Sequence, residues 1–61
     1  MNVEFYNVQT GSLVDSWGDI EEPEIEINDV IMLEDESYWI VENFGVFPTR
    51  LEVYIKPYIM I

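Results

Sequence analysis

No alanine occurs anywhere in this 61-residue chain. Valine, isoleucine and nine aromatic residues stand in its place. Branched and aromatic side chains lose rotamer freedom on a helix and pack well on a pleated surface, so the chain is steered toward strands. Glycines 11, 18 and 45 and prolines 23, 48 and 57 cut it into short segments. The clearest segment is RLEVYIK at 50–56, where Leu51, Val53 and Ile55 alternate with Glu52, Tyr54 and Lys56. Period-two alternation places the two sets on opposite faces of a strand, the aliphatic set inward.

The same logic organises the rest. Residues 3–8 and 13–17 form an N-terminal hairpin, turned at QTGS, with Gly11 free to take positive φ. Residues 29–33 are a short apolar strand, and Glu34, Asp35 and Glu36 are an acidic turn. Residues 37–43, SYWIVEN, carry apolar groups on both faces and predict a central strand. FGVFPT is predicted as a turn region with Phe44 and Phe47 at the surface. Five or six short strands predict an all-β domain, a small antiparallel sheet curled into an SH3-like or OB-like half-open barrel. A β-meander pairing as a dimer is the alternative.

A domain this small buries only about 60% of the surface its unfolded chain exposes, and such domains need extra support. Disulfides and thiolate metal sites are excluded, since there is no Cys, and the absence of His removes the commonest general base and zinc ligand. Partner binding or self-association remains. The apolar content of 49% is too high for a disordered acidic chain. Nothing at the N-terminus has the basic, then apolar, pattern of a signal peptide, and no apolar run approaches the ~20 residues of a membrane span. A soluble cytoplasmic chain is expected.

Thirteen acids face two bases, a formal net charge of −11, and nine of those acids lie between Asp19 and Glu36. Such a field repels nucleic acid and anionic membranes and favours a protein partner with a basic surface. Within GDIEEPEIEIND, Ile25 and Ile27 are expected to pin an extended segment to the core while Glu24 and Glu26 face water. Alternate residues on a strand lie roughly 6.7 Å apart, a spacing comparable to that of nucleic-acid phosphates. In size and charge, though in no motif, the chain resembles the small acidic DNA mimics with which phages inhibit host enzymes. That resemblance implies an anti-defence or inhibitory function, with Glu21, Glu22, Glu24, Glu26, Glu34, Asp35 and Glu36 meeting the partner.

Other functions have less to work with. Ser12, Ser16 and Ser37 lack a histidine to activate them, and no catalytic motif is present, so no enzyme is expected. The acidic clusters lack the alternating acids and central glycine of a calcium loop, and neither metal nor cofactor is expected. The apolar residues Phe44, Phe47, Tyr58, Ile59, Met60 and Ile61 could instead join copies of the chain, making it a homo-oligomeric structural protein whose acidity serves solubility. Crowding of acids is also expected to raise carboxylate pKa values, so that mild acidification to about pH 4–6 stabilises the fold.

Overall fold

The computed structural model describes residues 1–59. It holds five strands and, among those residues, no helix: β1 (Asn2–Asn7), β2 (Leu13–Trp17), β3 (Val30–Met32), β4 (Tyr38–Val46) and β5 (Arg50–Pro57). They form one sheet in the order β2-β1-β5-β4-β3. The sheet curls into a half-open barrel. At one end of the opening, Val14 and Asp15 of β2 face Leu33, Glu34 and Asp35 across a shallow depression.

The N-terminal hairpin forms as its sequence demands. Gly11 has φ of 76°, and its N–H donates to Asn7 O at 2.7 Å to close the turn. β5 alternates as expected: Leu51, Val53 and Ile55 are buried and Glu52, Tyr54 and Lys56 are not. With Val3, Phe5, Leu33 and Val41 they make the core. Phe5 meets Trp17 edge to face, ring centroids 4.6 Å apart. Trp17 and Trp39 both pack against this core.

Three features depart from the expected sheet. Three of the four pairings are antiparallel, but β1 and β5 run parallel, from Asn2 beside Arg50 to Asn7 beside Ile55. This follows from the path of residues 18–29. The segment leaves β2 level with Val3, near the start of β1. It then crosses the concave face lengthwise and enters β3 level with Lys56, near the end of β5. Second, β4 lies between β5 and β3, as a central strand should, but it runs on through Phe44 and Gly45 to Val46. Gly45 is no turn residue: it leaves room for Phe47, whose Cε2 would lie 3.2 Å from an added Cβ. Third, β4 makes space for one extra residue, Glu42, by a bulge between Val41 and Asn43.

The crossing segment is a strap, not a strand. Ile20 and Ile25 pack against the core and cover the concave face. Ile20 exchanges two main-chain hydrogen bonds with Met1, at 2.8 and 3.0 Å. Ile27 does not join them. It sits in a turn, 53% exposed, because Asn28 takes left-handed backbone (φ 75°) and swings the chain toward β3. Only one of the two isoleucines expected to pin the segment does so. Replacing Ile25 with Ser should therefore cost about 1–2 kcal/mol. In a domain of this size that lowers the melting temperature by roughly 4–8 °C per kcal/mol. Ile27→Ser should stay within about 0.5 kcal/mol of the parent. Thermal denaturation of both variants checks the contrast; equal losses would mean that Ile27 is also buried in solution.

Candidate functional site

The expected acidic surface resolves into two parts. Glu21, Glu22, Glu24 and Glu26 ride on the strap, all exposed. Around Glu24 and Glu26 the strap forms a shallow depression with Pro23, Ile25 and Asp29. The backbone there is tied down: Glu26 N–H donates to Asp29 Oδ2 at 3.0 Å, and Asp29 N–H to Glu26 O at 3.1 Å. The turn is then stapled to β4, with Asn28 N–H on Val41 O and Val41 N–H on Asp29 O, both 2.8 Å. These carboxylates project from fixed backbone, as expected, although it is not a strand.

Glu34, Asp35 and Glu36 form the β3–β4 turn at the closed end of the opening, likewise exposed. They share no depression with the strap acids. Glu34 and Asp35 instead face Asp15, which lies opposite Phe5 in the β1–β2 ladder and so shares its face; this grouping depends on how the sheet curls and not on any local pattern. Trp39 Nε1–H donates to Ser37 Oγ at 2.7 Å, and Ser37 Oγ–H donates in turn to Asp35 Oδ1. The Ser37 hydroxyl, helped by the Ser37 main-chain N–H, holds the Asp35 carboxyl below its ordinary value. Among the described residues no group of three acids converges tightly enough to hold a metal ion.

Every non-glycine residue with positive φ among those described, Asp19 (53°), Asn28 (75°) and Glu36 (66°), lies in this acidic stretch. Asp and Asn tolerate that conformation; Glu does so at a cost. Leu33 and Ser37 close a three-residue loop in which Glu36 takes the left-handed place usually given to glycine.

Alternation put Glu52, Tyr54 and Lys56 on the outward, convex face but did not reveal the partners they meet there. Parallel register sets Glu4 beside Glu52 and Tyr6 beside Tyr54. Arg50 answers the paired carboxylates, with Nε 2.8 Å from Glu52 Oε2 and 3.7 Å from Glu4 Oε1, and its guanidinium lies 4.4 Å above the Phe47 ring. Tyr6 donates to Glu4 at 2.9 Å and Tyr54 to Glu52 at 2.8 Å. The Tyr54 hydroxyl, then Arg50, pull the Glu52 carboxyl down, while the Glu4 and Glu52 carboxylates push the Tyr6 and Tyr54 phenols up. Lys56 pairs with Glu42 at 2.8 Å. Both basic side chains of the protein are thus engaged away from the strap.

The apolar residues expected at an oligomer interface are dispersed. Phe44 and Phe47 are at or just past the end of β4, while Tyr58 pairs with Tyr38 at its start, about 20 Å or more away along the strand. Ile59 is 81% exposed, and Met60 and Ile61 lie outside the described residues. Compared with protein-family models, with curated proteins and with solved structures, the chain matches none.

Two outcomes follow from this geometry. Glu36→Asn should stabilise the protein by about 1 kcal/mol by easing the left-handed residue. Glu36→Gln, which removes only the charge, should not; thermal denaturation separates them. The Asp35 and Glu52 carboxyls are both held below their ordinary values by the hydroxyls and the guanidinium beside them, against the expectation from crowding. A lowered folded pKa gives stability that is complete above the unfolded value, about 4, and lost as pH falls through the folded one. The urea midpoint should accordingly drop, not rise, as pH falls from about 4 to about 2, and Tyr54→Phe should make the drop shallower.

Proposed function

We propose that the protein is a binding protein whose strap carboxylates dock on the basic surface of another protein, in the manner of an inhibitor occupying a site built for nucleic-acid phosphates. The observation that carries it is that Glu21, Glu22, Glu24 and Glu26 project from a segment anchored by Ile20, Ile25 and the Asn28–Val41 bond, while Arg50 and Lys56 are paired with other acids. Held charges lose less entropy on binding than mobile ones. Uncompensated charge steers a basic partner, and does so most strongly at low salt. A phage-encoded anti-defence setting fits the size and charge, and an enzymatic activity is not proposed.

Self-association is the second reading. It rests on Val30, Met32, Tyr38 and Tyr58, each about two-fifths to one-half exposed, which share one end of the convex face. An assembly formed through these residues would not weaken as salt rises.

The test is an immobilised chain exposed to bacterial lysate at low salt, beside a variant with Glu21, Glu22, Glu24 and Glu26 changed to Gln. Proteins held by the parent should be lost on the variant, released by moderate salt and displaced by duplex DNA. Capture that is equal on both chains, or indifferent to salt, would remove the strap carboxylates from consideration. Sedimentation at low and high salt reads the self-association alternative directly.

A further inference from the structure

The sheet has an open lane beside the second half of β4. β3 pairs only with Tyr38, Trp39 and Ile40, and the Asn28–Asp29 turn occupies Val41. Beyond that point, from Asn43 to Val46, β4 has β5 on one side and, among the described residues, no strand on the other. The hydrogen-bond phase is fixed at the turn, where Phe47 N–H donates to Arg50 O at 2.9 Å. Bonded and non-bonded pairs alternate along an antiparallel ladder. Counting back, Gly45 turns its main-chain groups to β5, and Val46 and Phe44 turn theirs into the open lane. Asn43 Oδ1 covers the Phe44 N–H at 2.9 Å. The Phe44 carbonyl and both main-chain groups of Val46 are left for a partner. Val46 is 70% exposed and Phe44 36%. Their side chains point to the same face, since their cross-strand partners Val53 and Leu51 are both core residues.

Edge strands normally carry a lysine, a proline or a covering loop that blocks pairing. Residues 43–46 carry none of these. The occupant is indicated by charge. The lane begins where the Glu26–Asp29 turn ends, so a strand entering it meets the strap carboxylates at one end. A second copy of this chain would bring another −11 to the same place. A basic segment gains where a second copy is repelled.

We propose that the open edge of β4 receives an extended segment of the partner protein by strand addition, one in which apolar residues alternate with lysine or arginine. Its main chain bonds Val46 and Phe44, and its apolar side chains cover those two residues and Ile27; the intervening cations turn to the convex face, and those at the end that meets the Glu26–Asp29 turn reach Glu24 and Glu26. This mode of recognition takes affinity from main-chain bonds and specificity from alternate side chains. It rests on the acidic-face function proposed above, and adds to it the partner's conformation and the residues that read it.

The probe is a short acetylated, fluorescent peptide alternating valine with lysine. Beside it stand the same peptide N-methylated at alternate residues and a glycine–lysine peptide of equal charge. The valine–lysine peptide should bind at least about tenfold more tightly than either control, the factor expected from two or so main-chain bonds with their apolar cover. Val46→Pro deletes an N–H that points away from β5, a place where an edge strand tolerates proline. It should abolish that advantage, with circular dichroism confirming the sheet; the N-methylated peptide asks the same question without altering the protein. Glu24→Gln with Glu26→Gln, and added salt, should weaken all the lysine peptides. Equal binding of the three peptides, or none, overturns strand addition. If that equal binding still falls with salt and with the Gln changes, the acidic-face function survives its loss. If binding ignores both, the acidic-face function falls as well. A dimer at sedimentation that Val46→Pro dissociates would show the lane filled by a second copy, and would overturn the proposal.

Discussion

Ile20 and Ile25 close a concave face that the sheet is too small to close by itself. Five strands, one of them three residues long, do not roll shut, and β2 and β3 remain separate edges. A barrel left open in this way exposes its core to water at roughly 25 cal/mol for each Å² of apolar surface. The strap removes that exposure with two side chains and a few main-chain bonds. Apart from Gly18, Pro23 and the exposed Ile27, the rest of it is polar. The acidic stretch and the core are therefore one structural solution: the residues that carry most of the protein's charge are fixed because their neighbours roof the hydrophobic interior.

The direction of the strap also decides the convex face. Because it travels the length of the sheet before entering β3, β5 returns parallel to β1 and in register with it. Parallel register sets like beside like here, Glu4 by Glu52 and Tyr6 by Tyr54. Two adjacent carboxylates repel, and Arg50 lies between them, with Tyr6 donating to the same oxygen of Glu4 and Tyr54 to the other oxygen of Glu52. The arrangement uses one of the protein's two basic side chains to hold the parallel pair, β1 and β5, together. Lys56 is spent on Glu42 at the bulge. With both basic side chains drawn to this side, the Met1 ammonium at Ile20 is the cation placed on the strap, and Glu21, Glu22, Glu24 and Glu26 have no ion-pair partner among the described residues. The asymmetry between the faces thus has a topological origin.

Local pattern carried the strands whose two faces differ. β5 could be read residue by residue, because Leu51, Val53 and Ile55 alternate with polar groups and every inward position is buried. The β1–β2 hairpin was legible from Gly11, and the β3–β4 turn from three consecutive acids. Pairing between distant strands was not, since parallel and antiparallel neighbours demand the same alternation of β1. The end of β4 was misplaced because Phe44, Gly45 and Phe47 carry a turn's composition; Gly45 is there to admit the Phe47 ring, a tertiary reason. Ile27 was misassigned because period two continues in the letters through a point where Asn28 turns the backbone. At the candidate site, exposure of the glutamates was legible from the isoleucines between them. The separation of the strap acids from Glu34, Asp35 and Glu36 depends on where the strap lands, which no local pattern encodes.

Asn28 connects the two surfaces on which the proposed function depends. β3 could have begun earlier and paired with all of β4, using the apolar Ile25 and Ile27 as strand residues. That alternative would have sealed the edge at 43–46, but it would have taken Ile25 off the core and left the concave face open. By taking left-handed backbone, Asn28 sends the chain out of the lane before it reaches Asn43. Ile25 then falls onto the core and Glu26 is held beside Val41. One residue in an uncommon conformation therefore supplies the roof and presents the carboxylates. It also leaves a stretch of sheet edge unpaired at the carboxylates' foot. Asn takes that conformation at little cost, so the turn keeps Ile25 packed on the core without straining a domain that has little core to spare. The open edge is the geometrical consequence, and it lies next to the part of the surface with the strongest attraction for a basic chain.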